Sequence, residues 1–118
     1  VEYHPFLAQN RLLAALRDAG MALTAYYAMA DGKVFEDATL AELARRHDRS
    51  IAQIVLRWLV QQSGVVALTK TLSEVRARDN AAIFDFELDD ADMAAIGALA
   101  RPDGRRLSPD GLSPIWDV

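Results

Sequence analysis

The 118-residue sequence has no cysteine and only two histidines. Without cysteine there is no disulfide, no thiolate metal ligand and no thiol nucleophile. His4 and His47 alone do not make a transition-metal site, so no metal is expected. No apolar run approaches the ~18 residues of a membrane span, and no signal-peptide pattern is present. A membrane partner is therefore not expected, and the location predicted is cytoplasmic. Positive charge is also scarce: 13 Lys and Arg stand against 17 Asp and Glu, giving a net charge of −4 and a pI of about 5.0. That balance argues against nucleic acid as a partner. Repeats and low-complexity tracts are missing too. So is an initial methionine: Val1 to Tyr3 reads as the end of a strand, which predicts that the chain starts partway through a larger protein.

What remains is an ordinary globular composition, 52% hydrophobic and 25% charged, long enough for one modest domain. Pro5 stops the first strand. Asn10 is expected to cap a helix with Leu12, Leu13 and Leu16 on one side, ended by Gly20. Ala22 to Tyr26 reads as a short strand, and Met29 to Glu36 as a loop around Gly32. Asp37 is placed to cap a helix reaching about Arg46, with Leu40, Leu43 and Ala44 inward. Ser50 and Gln53 form a capping box for a helix whose Ile51, Ile54, Val55, Trp58 and Leu59 recur at helical spacing. Ser63-Gly64 ends it. After a further strand and helix, Asp89 and Asp92 load the first turn of a last helix, as its dipole favours, with Met93, Ile96 and Leu99 inward. Asp89, Asp90 and Asp92 lack the glycine and distal glutamate of a calcium loop, so capping explains them. From Arg101 onward three prolines and two glycines predict a tail without regular structure, anchored by Trp116. Strands alternating with helices specify a parallel α/β sheet, which periodicity alone leaves open between a flat sheet and a barrel.

The chain is organised around residues 65–88, VVALTKTLSEVRARDNAAIFDFEL. Val65 to Leu68 is an unbroken apolar run, predicted to be a strand covered on both faces. Thr69, Lys70 and Thr71 follow it, and Ser73 is placed to cap the next helix. A helix N-terminus beside a lysine and two hydroxyls can seat a phosphate. Arg76 and Asn80, three and seven residues beyond Ser73, share its helix face. A cation for phosphate or stacking and an amide for a base edge suit a nucleotide; a merely solvated charged face is the alternative.

These same residues, LTKTLSEVRARDNAAIFDFEL, resemble the cofactor signature of the aldo-keto reductases, whose pattern is roughly I-P-K-[ST], a spacer, R-x-x-E-N and F-D-F-x-L. VEYHPF is similar to that family's N-Q-V-E-x-H-P segment, and LTAYYAMADGKVF to its T-A-Y-S-P-L-x-x-G segment. SIAQIVLRWLVQQSGVVALTK resembles its penultimate helix and last strand, and RPDGRRLSPDGLSPIWDV the carboxyl end of bacterial members, particularly the 2,5-diketo-gluconate reductase-like group. The resemblance implies the C-terminal part of a (β/α)8 TIM barrel, with residues 1–100 in the barrel and 101–118 as a tail. It implies NADPH as cofactor and a small-molecule carbonyl substrate, an aldehyde or ketone reduced to an alcohol.

Residue by residue, the resemblance gives Lys70 and Thr71 to the 2′-phosphate of NADPH, Arg76 to the adenine ribose phosphate, and Asn80 to adenine. Tyr26 corresponds to the tyrosine that stacks on the nicotinamide ring. Asp79 stands where Glu is usual. Tyr27, Ala28 and Met29 replace Ser, Pro and Leu, and Thr69 replaces the proline before Lys70. His4 corresponds to a structural H-P turn, and His47 is expected to be exposed at a helix end. The family's catalytic Tyr, Lys, Asp and His have no counterparts here, so no catalytic residue is assigned and the chain alone is predicted inactive. The alternative is a non-catalytic nucleotide-binding remnant or pseudoenzyme. With sheet edges unpaired, the isolated polypeptide is expected to self-associate.

Overall fold

The computed structural model describes residues 1–110. Three parallel strand segments carry the fold. Residues 1–3 lie beside β1 (Leu23–Ala25): Glu2 bridges Tyr26, Tyr3 donates its amide to Tyr26 at 3.2 Å, and Tyr26 donates to Val1 at 2.9 Å. On its other side β1 pairs in parallel with β2 (Val65–Ala67), in the register Leu23 to Val65 and Ala25 to Ala67. Helix α1 (Asn10–Asp18) connects the first two segments. A 3₁₀ segment (Ala30–Glu36), α2 (Ala38–His47) and α3 (Ile51–Gln61) lie between β1 and β2. Two helices follow, α4 (Glu74–Ala81) and α5 (Asp90–Gly97). The expected alternation of strands and helices is present, as an α/β fold.

Several starts and stops follow the local chemistry. Asp37 accepts the Leu40 amide at 3.0 Å, and Ser50 and Gln53 close a reciprocal capping box. Gly20 and Gly64 take φ of 66° and 76° where α1 and α3 turn back into strands, a conformation glycine reaches without strain. Leu40, Leu43 and Ala44 are buried, as are Ile54, Val55, Trp58 and Leu59.

Other expectations are corrected. Asn10 is not a cap: it is the first helical residue, and Gln9 holds the cap position without a side-chain cap bond, its amide donating instead to the Glu2 carbonyl at 2.8 Å. Residues 30–36 are not an open loop but a 3₁₀ segment broken at Asp31 and Gly32, where φ is positive. The run at Val65 is not covered on both faces. Val65 is buried, while Val66 and Leu68 are 53% and 59% exposed. Helix α3 packs on one face of β2; Thr24, Val66 and Leu68 alternate onto the other, which no element of the described chain covers. The tail is described only to Asp110, so the Trp116 anchor lies outside the described residues.

The last helix shows a further difference. Asp89 alone caps α5, accepting the Asp92 amide at 2.8 Å. Asp92 is buried and pairs with Arg46 and His47 at the end of α2, His47 Nε2 lying 2.7 Å from its carboxylate. His47 is therefore half-buried and partnered, its ring also against Phe86, and not the exposed helix-end cation expected.

Helix α3 is buried almost all round, polar residues included. Gln53, Arg57 and Gln61 recur every four residues and face the segment after α4. Gln53 donates to the Asp79 and Ala82 carbonyls, both at 3.1 Å. Arg57 donates to the Ile83 carbonyl at 3.2 Å and to Gln61 at 2.9 Å. Gln61 exchanges two bonds with the Leu88 backbone. This polar ladder fastens the far end of α4 and the 82–88 connection to the core.

Candidate functional site

Parallel register puts all three strand segments' carboxyl ends at one edge of the sheet. The Leu68 amide donates to the Ala25 carbonyl at 2.8 Å, so Leu68 runs alongside Tyr26, which in turn bridges Glu2. The edge therefore reads, in spatial order, Glu2 to His4, Tyr26-Tyr27, and Thr69 to Thr71. Tyr26 is 40% exposed, on the same uncovered face as Thr24 by the alternation of the strand. Lys70 lies two residues beyond Leu68, about 7 Å of extended chain.

The turn into α4 is built from two hydroxyls. Thr71 accepts the Ser73 amide at 3.1 Å, and Ser73 accepts the Arg76 amide at 3.3 Å. The first-turn amides of Glu74 and Val75 have no intrahelical acceptor, which leaves them available to an anion. Glu74 is the one group there that repels an anion, and it is paired with Arg78 one turn along. Lys70 and Arg76 make no ion pair among the described residues and are exposed. The local balance at the turn is thus positive. Arg76 and Asn80 lie one turn apart on α4, Asn80 half-buried. No hydrogen bond among the described residues joins the Tyr26 side chain to Lys70, Thr71, Arg76 or Asn80; the shared edge of the sheet is what groups them.

Beside this edge sits a buried pair, in which His4 has the structural place expected for it. His4 is fully buried, and its Nε2 lies 2.9 Å from the Glu2 carboxylate. Burial, outweighing the attraction of Glu2, pushes the His4 pKa below the usual histidine value. The geometry agrees: a neutral ring donates from Nε2, whereas a proton on Nδ1 would be a buried donor with no partner. A lowered folded-state pKa means the unfolded chain binds the proton more readily. His4 thus contributes stability that is present above the ordinary histidine pKa of about 6.5 and lost as pH falls through it. Urea midpoints between pH 7 and pH 5 should decline less steeply in His4→Gln than in the parent; equal slopes would show that His4 is not the group responsible.

Glu2, Gln53, Arg57 and Gln61 are the supporting residues that motif reasoning missed. For the last three a signal existed, polar residues four apart inside a helix that otherwise reads as core. For Glu2 the signal was only partial: it stands with His4 in the quoted motif, but its two backbone partners lie about a hundred residues away. Among the described residues no group of His, Cys, Asp or Glu could hold a metal ion, and no helix is long and apolar enough to cross a membrane.

The model of the aldo/keto reductase family matches residues 1–101. This chain belongs to the aldo/keto reductase family. Glyoxal reductase of Bacillus subtilis is 38% identical over 112 residues, covering 95% of this chain and 40% of its own length. Methylglyoxal reductase DkgB of Escherichia coli O157:H7 is 32% identical, over 99% of this chain and 43% of its own. A crystal structure of a candidate 2,5-diketo-D-gluconic acid reductase B superposes with a TM-score of 0.97 at 53% identity, covering all of this chain and 42% of that one. A Gox0644 variant solved in complex with NADPH gives a TM-score of 0.87 at 30% identity, over 92% of this chain and 40% of that one. The aldo/keto reductase chain thus spans about 40% of the length of the curated relatives it matches. Its α/β fold is that of its structural neighbours, and its membership makes it part of an oxidoreductase lineage.

Proposed function

We propose that this chain is the cofactor-gripping portion of an NADPH-dependent reductase of small aldehydes and ketones. The observation that carries the proposal is the α4 entry: Lys70 and Arg76 without an ion pair among the described residues, open first-turn amides, and Glu74 in the first turn neutralised by Arg78. Those donors fit the 2′-phosphate and adenine ribose of NADPH. Lys70 and the Thr71 hydroxyl hold the phosphate, Arg76 covers the ribose phosphate, and Asn80 reads the adenine edge. Tyr26, on the open face, gives a flat surface for the nicotinamide ring, leaving the opposite side of that ring toward the substrate. The bound cofactor supplies the hydride; this chain's residues bind and orient it. Relatives named as glyoxal and methylglyoxal reductases support a small carbonyl substrate, and the complex of Gox0644 with NADPH supports the cofactor.

In this reading the three parallel segments are consecutive strands of a (β/α)8 barrel, with residues 1–100 in its wall and the tail beyond, in a cytoplasmic enzyme. The proton donor and its partners lie outside this sequence. The intact protein is expected to oxidise NADPH on addition of glyoxal or methylglyoxal, whereas residues 1–118 alone give no turnover. Spectrophotometric assay at 340 nm checks both. Turnover by the short chain alone, or none by the intact protein, overturns the assignment.

The uncovered strand face carries a second expectation. Val66 and Leu68 on that face are more than half exposed, and an edge strand with such an apolar face invites pairing with other chains. Light scattering of the isolated polypeptide should show association. A monodisperse monomer with a cooperative melt would count against it.

A second reading, nucleotide binding without turnover, is favoured by Tyr27. It holds φ at 65°, a left-handed conformation that a bulky side chain enters only when its surroundings impose it. NADPH binding by the intact protein without carbonyl reduction would select this reading.

A further inference from the structure

The segment Glu2 to Phe6 does more than end a strand. Six contacts bind it to residues 101–107. The Glu2 carboxylate, 1% exposed, accepts the Arg106 amide at 2.6 Å and the Leu107 amide at 3.0 Å. The Arg105 guanidinium lies 3.9 Å from the same carboxylate. The Phe6 carbonyl accepts the Arg101 amide at 3.1 Å, and the Arg101 guanidinium stacks 5.0 Å from the Phe6 ring. Gly104 presses so closely on that carbonyl that a Cβ there would fall 1.7 Å from the Phe6 oxygen. Nothing in the tail's composition requires this order; it is imposed from the strand end.

A buried carboxylate is costly unless its oxygens are filled. Here His4 and the two tail amides fill them, so the charge and the docked tail depend on one another. Charge-assisted bonds to backbone amides are the strong kind, and two side by side fix direction as well as distance. The strand carrying Glu2 is the one that bridges Tyr26. The docked tail therefore runs along one side of the strand-end edge, one strand away from the Tyr26 ring.

We infer that Glu2 is a positioning residue: its buried carboxylate latches residues 101–107 beside the strand-end edge and so sets one wall of the space a carbonyl substrate enters. Glu2 touches no reacting atom in this arrangement. It acts through the backbone of Arg106 and Leu107. The kinetic part of the inference rests on the reductase reading; the latch itself does not.

The test is amide hydrogen exchange on the intact protein, joined to steady-state kinetics with methylglyoxal. In Glu2→Ala, exchange at Arg106 and Leu107 should rise by about tenfold or more, with the α3 amide of Leu59 unchanged. KM for methylglyoxal should rise by about fivefold or more while NADPH affinity holds, the pattern of a displaced substrate wall. Glu2→Gln, which keeps one acceptor oxygen, should fall between. Should Glu2→Ala not fold, Gly104→Ala attacks the same latch from the tail side, through the clash with the Phe6 carbonyl, and keeps the Glu2 carboxylate and its His4 partner in the chain. It should give the same exchange signature. Unchanged exchange at Arg106 and Leu107 would overturn the latch. Equal acceleration at Leu59 would reduce Glu2 to a general support of the fold, and a released tail with unaltered KM would remove its role toward substrate. If the parent protein reduces no carbonyl compound, the proposed function fails by itself, and exchange still decides the latch.

Discussion

Replacing Lys70 and Arg76 together by alanine is expected to raise the dissociation constant for NADPH by about a hundredfold and leave that for NADH within about threefold. A hydrogen bond to a charged group is worth about 1.5–3 kcal/mol, and 1.4 kcal/mol is tenfold in affinity. Both side chains are exposed, so solvent already satisfies them in the free protein and the lower end of that range applies. Each then accounts for about tenfold, and the two contacts act on separate oxygens closely enough to be additive in order of magnitude. The selectivity follows because NADH lacks the phosphate they would hold. Thr71→Val should show a smaller loss, since its hydroxyl also accepts the Ser73 amide and helps to shape the turn. Fluorescence titration of the intact protein with each dinucleotide measures the effect. A parallel loss of both affinities would mean that the residues support the helix and not the phosphate, and no loss would remove the site altogether.

Arg57→Leu is expected to destabilise the folded protein by about 3 kcal/mol, seen as a lower urea midpoint at unchanged slope. Arg57 is 9% exposed and serves acceptors on two elements: the Ile83 carbonyl and, within α3, the Gln61 side chain. Removing it leaves the Ile83 carbonyl without that donor and takes one of two donors from the Gln61 oxygen, which keeps the Leu88 amide. Gln61 is in turn the residue that exchanges bonds with Leu88, so the loss spreads along the 82–88 connection. Arg57→Lys should recover only part, because an ammonium lacks the fork that reaches both partners at once. By contrast, Arg45→Ala breaks only the exposed pair with Glu42 and should leave the midpoint unmoved. A midpoint for Arg57→Leu as high as the parent's would show that the ladder is dispensable. Because Gln53 at the start of the same ladder holds the end of α4, Gln53→Ala should weaken NADPH binding modestly as well as stability.

Most of the element list was legible because it depends on neighbours in sequence. The caps Asp37, Ser50, Ser73 and Asp89, the stops at Gly20 and Gly64, and the apolar spacing of α2 and α3 are local chemistry and appear where they were expected. Asn10 was misread by one position: the helix already includes it, and Gln9 before it holds the cap position without a side-chain bond. His47 was misread because its partner is distant: Asp92 is forty-five residues away and brought near only when α5 packs on α2. The candidate cofactor residues were legible as a motif, because the turn, its hydroxyls and its cations are contiguous from Lys70 to Asn80.

By itself, then, the sequence determined the kind of protein this is: a parallel α/β chain of the aldo/keto reductase family, with caps, stops and an anion-seeking helix entry written in adjacent residues. Only the tertiary structure decided which polar groups carry charge into the interior. Glu2, Asp92 and Arg57 are buried because partners from distant segments fill their hydrogen bonds. A buried charge is tolerated only where the fold assembles those partners. No local pattern records that assembly.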